Sequence, residues 1–170
     1  RLQRTLGLHE AARSNHQDAY DLCERKVPFL RHACAAQLAM DAFAAGQTDA
    51  GLHWLHSAQH SRPAGAISRA WCVLADLAHA RVCAAVQTGE WEAALQEVMA
   101  AVAESEHRRL PIYAPMLHID QARCHLALGQ PTAAAPPLLA ALTVAQAAGL
   151  TPLLWQAHTL GAEIARALGQ

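Results

Sequence analysis

Glycines at a nearly constant interval constrain this chain more than any other feature. They stand at Leu6-Gly7, Ala45-Gly46, Thr88-Gly89, Leu128-Gly129 and Leu168-Gly169, separated by 39, 43, 40 and 40 residues. Self-similarity at such a period marks an array of stacked supersecondary units, and glycine is the residue that ends a helix in the left-handed conformation at least cost. Aligned on these glycines, small residues recur. Five positions after the glycine stand Ala12, Gly51, Ala94 and Ala134, and twelve positions after it Ala19, Ala58, Ala101 and Ala141. Seven positions before it stand Ala39, Val82, Ala122 and Ala162. Small side chains there let antiparallel helices approach closely. Larger apolar residues fill the ninth position (Leu55, Val98, Leu138), with His16 as the exception. A proline follows each of the first four glycines by 17 to 23 residues (Pro28, Pro63, Pro111, Pro152).

The composition agrees with an all-α fold. Hydrophobic residues make up 53% of the 170-residue chain but aromatics only 5%, and Val and Ile are scarce, which disfavours strands. By length the chain is read as a single repeat domain, 1–170. The pattern predicts a helix tail over residues 1–6, then helices from His9 to Arg25 and from Phe29 to Ala45. Asp49 is expected to cap a helix running through His60. Further helices are expected over Ile67–Thr88, Glu90–Ser105, Ile112–Leu128 and Thr132–Ala147, with a last one between Pro152 and Gly169.

Charge excludes some classes of partner. A net charge of −1 carries no electrostatic footprint for nucleic acid or an anionic membrane. No apolar run has the length of a membrane span. The five cysteines (Cys23, Cys34, Cys72, Cys83, Cys124) are spread singly. They are read as buried small hydrophobes in a reducing compartment, the cytoplasm.

The turn Gly89-Glu90-Trp91-Glu92-Ala93-Ala94, the alanine twelve positions after each glycine and the proline before each new helix resemble the tetratricopeptide-repeat family. The long period is similar to the arrays of bacterial signal-transduction ATPases and of maltose-regulator-type transcriptional activators. The resemblance implies a right-handed superhelix of antiparallel helix pairs and a role in signal transduction or transcription regulation. It also implies a concave groove lined by the first helix of each pair. Carried onto this chain, the groove places are Met40 and Phe43; Asp76, His79, Cys83 and Val86; Met116, Ile119, Arg123 and Leu126; and Gln156, Thr159, Glu163 and Arg166. Phe43, Met116 and Arg123 are the expected anchors for an apolar or amphipathic segment of a protein or peptide. The chain is expected to be a piece of a larger protein, and its uncapped terminal helix could support self-association.

Candidates for chemistry are few. His53, His56 and His60 fall within about 60° on one helix face and could bind Zn²⁺ or Ni²⁺, although no carboxylate or cysteine joins them; a solvated helix face is the alternative. Asp76 and His79 could form a carboxylate–imidazole pair or a structural salt link, and Cys83 one turn on suggests a thiol–imidazole pair. No phosphate-binding loop, nucleophile elbow or zinc-protease motif occurs in the sequence. The expectation is therefore a binding scaffold or sensor, not an enzyme, with no cofactor and no metal. A small-molecule-sensing domain is the alternative, and a metal- or histidine-dependent enzyme a further one.

Overall fold

The computed structural model describes residues 9–26, 30–60, 71–107 and 113–169. Among these residues the chain is all-helical, with eight helices and no strand. It divides at Gly89 into two compact units, Arg1–Gly89 and Glu90–Gln170. Unit 1 holds α1 (His9–Lys26), α2 (Arg31–Ala44), α3 (Thr48–His60) and α4 (Trp71–Thr88). Unit 2 holds α5 (Trp91–His107), α6 (Ala114–Ala127), α7 (Pro131–Ala147) and α8 (Thr151–Ala167). The expected helix tail over 1–6, Gly7, and Pro28, Pro63 and Pro111 lie outside the described residues.

Each unit is built around one central helix. In unit 1, α2 packs against α1, α3 and α4, and ten of its fourteen residues are buried, the pattern of a helix enclosed rather than laid on a surface. Ala35, Ala36 and Ala39 are closed to solvent, so neighbouring backbones approach where a larger side chain would hold them apart. Leu38, Met40, Phe43, Leu55 and Leu77 complete this core. In unit 2, α6 packs against α5, α7 and α8, with Ile119, Leu138, Leu160 and Ile164 in its core.

Four of the aligned glycines end helices in the left-handed conformation. Gly46, Gly89, Gly129 and Gly169 have φ of 71°, 77°, 71° and 77°, a region in which any Cβ is strained. At Gly46 the Gln47 N–H donates to the Ala42 carbonyl (2.9 Å) and the Gly46 N–H to that of Phe43 (3.0 Å), which is a Schellman cap. Gly129 repeats it: Gln130 N–H reaches the His125 carbonyl and Gly129 N–H that of Leu126. Gly149 (φ 64°) closes α7 in the same way.

The small-residue register is also visible. Ala12, Gly51, Ala94 and Ala134 are all buried, as are Ala58, Ala101 and Ala141, while Ala19 is half-buried. Ala39, Val82 and Ala122 are fully closed to solvent, but Ala162 in α8 is exposed. Replacing Ala101, which is 5% exposed, with Phe is expected to overpack its helix contact. The cost should be about 1–3 kcal/mol, read by urea denaturation; an unchanged midpoint would show that the site has room.

Two helix starts differ from expectation for local reasons. Asp49 is not the cap of α3: the helix opens at Thr48, which places the carboxylate in the first turn, where it favours the positive end of the helix dipole. Helix α7 opens on Pro131 itself, whose missing N–H costs nothing at the first position. Pro136 and Pro137 lie further inside α7 and cannot donate to the carbonyls of Thr132 and Ala133. Both of those residues are exposed, so water can satisfy them.

Candidate functional site

The expected groove residues divide between the units and between core and surface. In unit 1, Met40 and Phe43 are 3% and 4% exposed and belong to the core. They are structural here and present no surface, because α1, α3 and α4 enclose α2. Asp76 is buried, whereas His79 and Cys83 are half-buried, Cys83 lying against the same core. In unit 2, Ile119 is a core residue and Met116 and Leu126 are half-buried.

Arg123, Gln156, Thr159 and Glu163 do come together. With Trp155 and Leu160 they line an open cleft of about 280 Å³ between α6 and α8. Arg123 is 34% exposed and pairs at 3.5 Å with Asp120, which is almost wholly buried one turn back. Arg123 Nη1 donates to Asp120 Oδ1, so Asp120 orients the guanidinium itself, while the side chain stays partly open to solvent. On α8, Leu160 faces inward and is 4% exposed, and the side chains on either side of it form the polar wall. Trp155 is 73% exposed and is the residue the sequence reading missed. Its signal was available: fourteen positions before the other described glycines stand the buried residues His32, Ala75 and Pro115, and only here does a Trp occupy that place. Below the cleft, burial, reinforced by the Asp120 carboxylate against the opposing pull of Arg123, pushes the Cys124 thiol up to about 12. It stays protonated at neutral pH, which keeps its thiolate scarce.

A second polar feature, in unit 1, joins two departures from the repeat. His16, nine positions after Gly7, stands where Leu55, Val98 and Leu138 follow the later glycines. Asp41, five positions before Gly46, stands where Ala84, Cys124 and Ile164 precede them. The two meet: His16 Nδ1–H donates to Asp41 Oδ2 at 2.5 Å, with side-chain exposures of 18% and 1%. Arg13 adds a bond from the same helix to Gln47 Oε1 (3.0 Å). The pair fastens α1 to α2.

The histidine face of α3 is exposed at His53, His56 and His60. The His60 Nδ1–H donates to the His56 carbonyl at 2.9 Å, and the two rings lie 3.8 Å apart. His53 instead turns edge-on to Trp54. Among the described residues no group of three or more His, Cys, Asp or Glu side chains is placed to hold a metal ion, and no helix is long and apolar enough to cross a membrane. Comparison with known proteins finds no matching family model, and neither a curated protein nor a solved structure matches the chain.

Proposed function

We propose that this chain is a protein- or peptide-binding scaffold, a right-handed array of antiparallel helix pairs of the tetratricopeptide type, serving a larger bacterial regulatory protein. The observation that carries this reading is the α6–α8 cleft, where Arg123, Gln156, Thr159 and Glu163, four places derived from the resemblance, share one depression with an exposed Trp155. Trp and Arg are the residues most enriched where binding energy concentrates. An amphipathic segment suits the cleft: an apolar side chain against Trp155 and Leu160, with charged or polar groups toward Arg123 and Glu163.

A small-molecule sensor is less well supported. A second cleft, lined by Leu138, Leu139, Leu142, Ile164 and Leu168, is apolar but open, at about 270 Å³. Both clefts are smaller than the roughly 300–1,000 Å³ usual for sites that enclose a ligand.

The test uses Trp155→Ala and Arg123→Glu, each checked for folding by circular dichroism. Partners captured by the parent chain are identified by mass spectrometry and their affinities measured. Each variant is expected to weaken binding by at least about 30-fold, the size of a hot-spot loss. If both folded variants hold the same partners with parent affinity, the cleft is not the docking site.

A further inference from the structure

The geometry points to a reversible disulfide between Cys23 and Cys34, a modification site that would tie α1 to α2 covalently. Both are free thiols, and their Sγ atoms lie 3.8 Å apart across eleven positions of sequence. A disulfide needs a separation of about 2.05 Å, so closure requires the sulfurs to approach by somewhat less than 2 Å, a shift that side-chain rotation and a small helix adjustment can supply. Cys23 is 7% exposed and Cys34 half-buried, so an oxidant arriving from solvent meets Cys34 first. Cys124 lies buried in the other unit. Cys83 packs on the same core as Cys34 and is the competitor that the experiment must separate.

The chemistry balances with a hydroperoxide as oxidant. The Cys34 thiolate attacks the peroxide O–O bond, giving a sulfenic acid and, after protonation, water. The Cys23 sulfur then attacks the sulfenic sulfur, the S–S bond forms, and a second water leaves. Two thiols have supplied two electrons and two protons, and hydrogen peroxide has become two waters. Burial, with Cys23 alongside, pushes the Cys34 thiol up to about 12. The thiolate is therefore scarce at neutral pH, and the link closes under sustained oxidation rather than a brief pulse.

The experiment treats the chain with hydrogen peroxide at pH 8.5, blocks remaining thiols after unfolding, and maps the peptides by mass spectrometry. The Cys23 and Cys34 thiols are expected to disappear, within the monomer, into one Cys23–Cys34 crosslink that dithiothreitol reverses. The melting temperature should rise by on the order of 10 °C on oxidation, with no such rise in Cys23→Ser or Cys34→Ser. Retention of both thiols, a crosslink of either to another cysteine, or linkage only between chains would overturn the assignment. The map is made on the unaltered chain, so it decides the question even if a serine variant fails to fold.

Discussion

Replacing His16 with Ala is expected to destabilise unit 1 by about 3 kcal/mol, whereas His16→Leu combined with Asp41→Ala should return it to within about 1 kcal/mol of the parent. The single change removes an imidazole from a carboxylate that is only 1% exposed, and a buried charge that loses a partner is costly. The estimate sits at the low end of the usual range because His16 keeps 18% of its side chain open, so water replaces part of the lost contact. The double change introduces the combination found at the matching distances from the next glycines, Leu55 with Ala84, both of which lie in the unit 1 core. Apolar replacement of a buried pair is often neutral or stabilising. Urea unfolding of the parent, His16→Leu, Asp41→Ala and the double variant closes the double-mutant cycle and measures the coupling, with His16→Ala measured beside them. A double variant as weak as the sum of the single ones would show that the pair does not act as a unit.

That cycle also shows what could be read in the residues and what could not. The helices and their ends were legible because glycine at a positive φ and small residues in a fixed register are local requirements. Gly46 and Gly129 are needed by their own turns whatever the rest of the chain does. The His16–Asp41 contact was legible only in half. His16 was visible as the odd residue among Leu55, Val98 and Leu138, but its partner emerges only when the position five before each glycine is compared as well. On α2 the two expected groove places are covered for a different reason. Distances from a glycine give the face of a helix, not whether a neighbour covers that face. Helix α2 is enclosed, so Met40 and Phe43 are core, whereas the same arithmetic on α6 and α8 reached the open Arg123, Gln156 and Glu163.

Phe43 provides the sharpest separation between a groove anchor and a core residue. Phe43→Ala is expected to cost about 3–5 kcal/mol, the range for deleting a buried aromatic, because the ring is 4% exposed among Leu38, Leu55 and Ala58. An anchor open to a partner would instead lose binding with little change in stability. The ring also explains why the small residue five positions after Gly46 is Gly51 where the other repeats carry Ala. A Cβ on Gly51 would crowd Phe43 Cε1 and stand 2.5 Å from Cδ1 and 2.8 Å from Cζ, nearer than real Cβ contacts come, and the ring is buried at 4% exposure. Gly51→Ala should therefore cost about 1–3 kcal/mol by overpacking. In a Phe43→Ala background the Cδ1, Cε1 and Cζ atoms that a Gly51 Cβ would meet are gone, and the added methyl should then be tolerated within about 0.5 kcal/mol. Denaturant midpoints of Gly51→Ala, Phe43→Ala and the double variant test the contact. If Gly51→Ala costs the same in the Phe43→Ala background as beside the native ring, the ring does not set the size of that position, and the close approach of α2 to α3 has another cause.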